Sequence, residues 1–213
     1  MQTTQQVTVL GVAAVGSALA RALARSGRDV VVGVRHPEAP GVQDLVDELD
    51  GQLRAVQPRE AIADSDVIVA AIPGVAMADL IDECTDVLDG KTFVDATNNL
   101  SHGHASGRLS SLPHLAERVP TAHGFRAFNS VGWENMSDPH FDGEQADLFY
   151  AGPDDSERAS VEQLIADVGF RPQYVGAGPD AHLAVDTLTT LWFALAFGQH
   201  RGRHLAFRLL TDV

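Results

Sequence analysis

VTVLGVAAVGSALARALARSG, residues 7–27, runs from an apolar β-branched strand ending at Gly11, through a turn of Val12, Ala13 and Ala14, into a helix that begins near Val15 and reaches Gly27. A strand, a small-residue turn and a helix in that order offer free backbone N–H groups and the positive end of a helix dipole to a diphosphate. The dinucleotide fingerprint would read GxGxxG, and here Ala13 stands at its middle glycine. Gly11 suits the tight turn, Gly16 lets the helix press against the strand, and Ser17 can offer a hydroxyl to a phosphate. The Ala13 methyl falls where backbone and diphosphate approach each other. A joint of this kind also occurs in α/β proteins that bind no nucleotide, so the loop needs support from elsewhere in the chain.

Composition narrows the field. A chain of 213 residues has room for one full core, and one Rossmann-like domain over 1–213 is expected, its C-terminal helix from about residue 180 serving as an extension or a dimer element. With 15 basic and 29 acidic side chains the net charge is −14, which repels nucleic-acid phosphates and anionic lipid heads; neither nucleic acid nor membrane is expected as a partner. The single Cys84 cannot form an intramolecular disulfide and no charged-then-apolar leader opens the chain, so a cytoplasmic location is expected. The longest apolar run, Leu183 to Gly198, is interrupted by Asp186 and is shorter than the roughly 20 residues of a membrane span; it reads as a buried or interface helix. GxSxG, HExxH and GxxxxGK[ST] are all missing, and Cys84 lies in a predicted helix without a base partner, which removes hydrolase, metalloprotease, kinase and thiol chemistry.

Short β-branched runs bounded by Gly, Pro or Asp predict strands at 7–11, 30–34, 53–56, 67–72, 92–95, 122–128, 147–151 and 171–175, with helices at 16–26, 41–50, 75–88, 156–168 and about 180–197. This alternation predicts an α/β fold with a doubly wound, mainly parallel sheet covered on both faces, whose ligands sit at the carboxyl ends of the strands. At the tip of the second strand, in DVVVGVRHPE, there is no acid for a ribose diol. Arg35 stands there instead, a forked cation suited to a 2′-phosphate, and either it or His36 can lie over adenine. One strand beyond a glycine loop, that arginine favours NADP(H) over NAD(H).

The series LGVAAVGSALARALARSGRDVVVGVRHPE, VIVAAIPGVAMADLI, GKTFVDATNNL, RAFNSVGWENMSDP and AGPDDSERASVEQLIADVGFRPQYVGAG resembles the NADPH-dependent reductases of the deazaflavin coenzyme F420, in the family's order from Val7 to Leu210. The resemblance implies a Rossmann fold with a small C-terminal extension, NADPH along the strand tips, and direct hydride exchange with a flat redox acceptor. It places Gly11, Val12, Ala13, Ala14, Val15 and Gly16 on the phosphate loop, Gly33, Val34 and Arg35 on the 2′-phosphate segment, and Ala71, Ile72 and Pro73 beside the nicotinamide ribose. Ala96, Thr97 and Asn98 match the ATN motif, and Phe128, Asn129 and Ser130 the AFN stretch next to the nicotinamide. The chain departs from the pattern at Ala13, at Val34 where a serine or threonine is common, and in NNLSHGHASGR. Alanine at the middle position is shared with the NADP-dependent 6-phosphogluconate dehydrogenases and is compatible with NADP.

Hydride transfer between two rings asks for alignment and water exclusion more than for acids and bases. Asn129 and Thr97 are the candidates for orienting nicotinamide, Ile72 and Pro73 for packing on it, and Gly11 to Ser17 with Arg35 for the phosphates. His102, His104 and Arg108 make a cationic lip suited to an anionic acceptor such as F420, and His102 is counted with Asn129 and Thr97 as catalytic. HxH lacks a third ligand, so no metal is expected. The expected partners are thus NADP(H), a small redox acceptor and a second copy of the chain, the last because LTTLWFALAFG is apolar on more than one face. Two alternatives stand beside this: an NADP-binding sensor that reduces nothing, and a reductase of a flavin, a ferric chelate or a small imine or carbonyl, the last needing a proton donor from His102, His104 or His123. Of His123 and Arg126, strand alternation lets either face the cofactor. Trp133, Trp192, Phe193 and Phe197 read as core or interface aromatics, with Trp133 a second choice for walling the ring pocket.

Overall fold

The computed structural model describes residues 6–98 and 109–212. Its first half alternates β1 (Val7–Leu10), α1 (Ala14–Arg25), β2 (Val30–Gly33), α2 (Pro40–Glu48), β3 (Leu53–Val56), α3 (Pro58–Asp64), β4 (Val67–Ala70), α4 (Met77–Glu83) and β5 (Thr92–Asp95). The second half continues with α5 (Leu112–Arg118), β6 (His123–Arg126), a two-stranded ribbon of β7 (His140–Phe141) and β8 (Glu144–Gln145), β9 (Asp147–Ala151), α6 (Arg158–Val168), β10 (Arg171–Gly176) and α7 (Gly178–Phe193).

Among the described residues, eight strands form one sheet in the order β3-β2-β1-β4-β5-β6-β9-β10. All neighbours are parallel except β6 and β9, which meet antiparallel at Arg126 and Ala151. Every residue of β1, β2, β4 and β5 is buried, as a parallel sheet covered by helices on both faces requires. On one face Leu19 and Leu23 of α1 and Leu164 and Ile165 of α6 share a core with Val9, Val32 and Phe125; on the other, Ile62, Met77, Ile81 and Leu115 meet Leu10, Ile68 and Phe93. The strand order reverses between β1 and β4, which opens a crevice at their carboxyl ends.

The doubly wound, mainly parallel sheet expected from the sequence is therefore present, with shorter elements. The strand predicted over 67–72 ends at Ala70, because Ala71 N–H turns back to Leu10 O and the chain then enters a 3-10 turn, Gly74–Ala76. The helix predicted over 75–88 is that turn followed by α4, which stops at Glu83. The apolar run is not short: α7 continues through a π-helical turn, Ala194–Gly198, giving 21 helical residues that by length and composition could cross a membrane. Instead α7 lies against β9 and β10 and buries the stripe Ala181, Val185, Thr189 and Trp192. After it, residues 199–212 fold back, and Phe207 forms a bridge with Asp147 at the foot of β9.

Candidate active site at the strand tips

The loop between β1 and α1 is shaped by its two glycines. Gly11 has φ +93°, a left-handed backbone, and a Cβ there would meet Ile72 Cγ2 at 2.9 Å and Ala71 O at 3.0 Å. A Cβ on Gly16 would lie 2.0 Å from Gly11 O, so this residue sets how closely α1 seats on the loop. Ala13 is different: with φ −70° and ψ −173° it is ordinary extended backbone, and its methyl is exposed. Ala13 caps α1 with no side-chain hydrogen bond, and the first turn holds no acid, so the helix N–H groups there are left for an anion. Ser17 does not point its proton at the loop mouth; its hydroxyl donates to Val12 O at 2.7 Å.

From this loop a cleft of about 880 Å³ extends along the tips of β2 and β3. Val34, Arg35 and His36 line it, with Gln57 and Arg59 opposite. Arg35 is exposed; its carbonyl accepts from Gln57 Nε2 at 2.9 Å, while no carboxylate among the described residues pairs with its guanidinium. Arg59, by contrast, is committed to Asp86 and to Glu83 O. His36 lies exposed beside Glu38 at 3.4 Å. Pro73, expected against the nicotinamide, lines this larger cleft, and Ile72 lines both it and the next cavity.

That next cavity, about 230 Å³, lies beyond the other side of the loop, between Val15, Ala71, Ile72, Ala96, Thr97, Asn98 and Asn129. Asn129 is 3% exposed; its Nδ2 donates to Thr189 Oγ1 at 2.7 Å and to Asp186 Oδ1 at 3.4 Å, and its Oδ1 has no partner among the described residues. A buried carbonyl oxygen without a donor is costly unless a ligand supplies one. Phe128, just before it, is held at φ +62°, a rare backbone for a bulky residue that aims Asn129 off the strand end. Thr97 lines the cavity, but its hydroxyl donates to Asp95 Oδ1 at 2.7 Å. Asn98 Nδ2 donates to Asn129 O at 2.8 Å. Ser130 is buried at the same strand end.

Beneath this floor Arg126 is wholly buried and uses its fork on Asp95 O, Asp95 Oδ1, Thr97 O, Asn98 Oδ1 and, at 2.8 Å, Asp186 Oδ1. Asp95 in turn takes Ser110 Oγ, Ser111 N and Ser111 Oγ on its second oxygen. One guanidinium thus ties β5, β6 and α7 together under the cavity. His123, three residues earlier, pairs with Asp155 at 2.6 Å, so Arg126 is the one of the two that faces the site. His102 and His104, with Arg108, lie outside the described residues.

Four positions with no clear signal in the sequence line the clefts. Beside Trp133, the sequence's second choice for walling the ring pocket and 39% exposed at the mouth of the smaller cavity, Trp192, Phe193 and Arg203 complete that cavity's wall, so three of the four aromatics read as core or interface line it. Arg203 arrives from the C-terminal tail, held at 2.5 Å by Glu134 Oε1 and lying over the Trp192 ring; its carbonyl accepts from Asn135 Nδ2. Burial opposes ionisation of Glu134, but the bond to Arg203 prevails and keeps the carboxyl below its ordinary range. The fourth is His182, in a further cleft of about 700 Å³ between α5 and α7 that Asp186 also lines.

A Rossmann sheet carrying a glycine-turned anion loop, a guanidinium at the second strand tip and a ring-sized cavity at the fifth and sixth defines an NADP-dependent oxidoreductase. Residues 6–99 match the family model of NADP oxidoreductase, coenzyme F420-dependent, and the resemblance seen in the motifs is borne out over that segment. No curated protein matches the chain in sequence. Among solved structures, one provisionally described as an F420-dependent NADP reductase from Arthrobacter sp. FB24 superposes with TM-score 0.83 at 25% identity, over 97% of this chain and 100% of its own. A hypothetical protein from Sinorhizobium meliloti gives TM-score 0.72 at 25% identity over 99% and 97%. A reductive aminase from Aspergillus terreus in complex with NADPH gives TM-score 0.65 at 22% identity; this chain covers 64% of that one, and the likeness is one of fold.

Proposed function

We propose that this oxidoreductase exchanges hydride between NADPH and a planar acceptor of the deazaflavin F420 type. The observation that carries the reading is the Oδ1 of Asn129, which has no partner among the described residues, an acceptor held in a ring-sized cavity one loop away from the exposed Arg35 guanidinium. A nicotinamide carboxamide would supply the missing N–H. The first-turn N–H groups of α1 would hold the diphosphate, and Arg35 the 2′-phosphate. When bound, NADPH supplies the hydride; the protein's task is alignment and exclusion of water. Asn129 fixes the plane of the carboxamide, and the Thr189 and Asp186 bonds fix Asn129. Val15, Ala71 and Ile72 pack on the ring. Trp133 stands at the cavity mouth beside the Arg203–Glu134 pair, which suits a flat acceptor.

Titration with NADPH and NADH, followed by stopped-flow mixing with F420, FMN and FAD, tests this. Tight NADPH binding and rapid bleaching of oxidised F420 are expected. Arg35→Ala should weaken NADPH by about 10-fold or more, the loss of one charge-assisted contact, and leave NADH unchanged. NADPH binding with no acceptor turned over would overturn the reading in favour of a nucleotide sensor. A cytoplasmic enzyme is inferred, and a homodimer formed through the outer face of α7, where Leu183 and Leu191 are exposed; light scattering at micromolar concentration reads the latter.

A further inference from the structure

The 3-10 turn Trp133–Met136 divides its side chains between the ring cavity and the tail. Trp133 stands at the cavity mouth and Glu134 pairs with Arg203, while Asn135, wholly buried and outside the cavity wall, spends each of its side-chain polar atoms on the tail. Its Nδ2 donates to Arg203 O and to Leu205 O, both at 3.2 Å. With both N–H groups committed, Oδ1 is left to accept, so His204 Nδ1, 2.7 Å away, carries the proton of that bond. One amide thus holds three consecutive tail residues. The His204 ring is also stacked on Phe141, with centroids 4.3 Å apart.

Those bonds decide where part of the cavity wall stands. Leu205 O accepts from Trp192 Nε1 as well, at 2.9 Å, and the Arg203 guanidinium lies 5.6 Å from the centre of the Trp192 ring. Trp192 and Arg203 both line the cavity. Gly132 shows how closely the tail is seated: its φ of −69° and ψ of 142° suit any residue, yet a Cβ there would meet Arg203 O at 2.9 Å and Trp192 Cζ2 at 3.1 Å. Farther along, Leu209 N donates to Asp147 Oδ2 at 2.6 Å and Asp147 N to Phe207 O at 3.0 Å, so the tail has a second anchor away from the cavity. The seat at 203–205 can therefore loosen without freeing the whole tail.

Two sets of residues make this cavity. Val15, Ala71 and Ile72 come from α1 and the end of β4, beside the diphosphate loop, and pack on the nicotinamide in the functional reading above; Trp133, Trp192, Phe193 and Arg203 come from the turn, α7 and the tail, and are left for the acceptor. We propose that Asn135 is a positioning residue for the hydride acceptor. By holding residues 203–205 it places Arg203 and Trp192, and so sets how a flat ring seats against the nicotinamide, while taking no part in NADPH binding. The proposal rests on the hydride-exchange reading and deepens it, naming the part of the chain that selects the acceptor, and it does not require that acceptor to be F420.

Three variants of the full chain test it. Asn135→Leu keeps the volume and removes all three bonds, Gly132→Ala presses on the same seat from the turn, and Arg208→Ala breaks the pair with Glu144 elsewhere on the tail as a control. The chain has two tryptophans, Trp133 and Trp192, and both line the cavity, so their emission reads the wall without turnover. Trp192 is 2% exposed and should gain water when the seat loosens. Asn135→Leu and Gly132→Ala should each red-shift the emission, raise KM about 10-fold or more for whichever of F420, FMN and FAD the wild type reduces best, and leave NADPH affinity within about 2-fold. Arg208→Ala should match wild type in all three. Gly132→Ala decides alone if Asn135→Leu does not fold. Unchanged emission and KM in folded Gly132→Ala, NADPH affinity falling in step with acceptor KM, or an equal rise in KM from Arg208→Ala would each overturn the positioning role. A wild type that binds NADPH and reduces none of the acceptors overturns the functional reading beneath it, a result distinct from all three.

Discussion

The two ends of the proposed cofactor site are made of different material. The diphosphate end is backbone, drawn from β1, its loop and α1, and its shape depends on Gly11 and Gly16 having no side chains. The ring end is side chains, gathered from β4, β5, β6, α7 and the tail, and its shape depends on Arg126, whose partners lie 28 to 60 residues away in the chain. A backbone cradle tolerates almost any side chain that points outward. A cavity floored by a buried ion network tolerates very little.

The sharpest way to break that contrast is at the network. Arg126→Met keeps volume but leaves Asp95 and Asp186 facing each other without a cation, and stripping one partner from a buried pair costs about 3–5 kcal/mol. Urea unfolding should show a loss of that size, and any protein that remains folded should have lost the Asn129 geometry and most NADPH affinity. A midpoint within 0.5 kcal/mol of wild type, taken as roughly the scatter of surface substitutions, would show that the ring end does not depend on this charge.

Gly16→Ala probes the other end. The added methyl would sit 2.0 Å from Gly11 O, so α1 must lift from the loop, an overpacking cost of about 1–3 kcal/mol. Stability and NADPH affinity should fall together, because the same N–H groups are displaced; a stable variant with unchanged affinity would remove the glycine from the cradle.

A smaller effect separates the ends by pH. His182 titrates lower in the folded chain than its ordinary 6.5 because burial disfavours the imidazolium. The unfolded chain then binds more protons between the two values, so stability is lost as pH falls through 6.5 toward the folded value and is constant below it. Thermal unfolding of wild type and His182→Gln should converge above pH 7.5 and separate below pH 6.5, wild type losing more. Parallel curves across that range would mean the imidazole is not buried in neutral form.

How much of this was legible follows the same division. The joint at residues 7–27 could be read because a left-handed turn and a close helix contact each demand glycine, and such demands are local. Arg35 could be read because its place is set by counting one strand onward. The β6 to β9 reversal could not, since the segment 127–146 carries a 3-10 turn and a short ribbon whose direction no periodicity reports. Helices α3 and α5 were missed for another reason: PREAIAD and LPHLAER bury only two residues each, too few to show a 3.6-residue stripe. Arg203 and His182 were invisible because their partners, Glu134, Asp95 and Arg126, are far away in sequence; His182 in particular reads as one polar residue in an apolar helix. Asn129 was legible only through its motif, and Ser17, read as a phosphate ligand, turned out to be bonded to its own loop.

Ala13→Gly is the mildest test and the one that sharpens the contrast most. If the diphosphate end is backbone, restoring the fingerprint glycine changes little, because the backbone at 13 is already one that alanine adopts freely and the methyl is exposed. Two small stability effects oppose each other: glycine is a better helix N-cap than alanine, and it is more disordered when unfolded, each worth up to about 1 kcal/mol. The midpoint should therefore move by no more than about 0.5 kcal/mol, and NADPH affinity by less than about 3-fold, which is under 0.7 kcal/mol. A gain of 10-fold or more would mean that the methyl occupies space the diphosphate needs, and the loop would then be a cradle that this chain has partly closed.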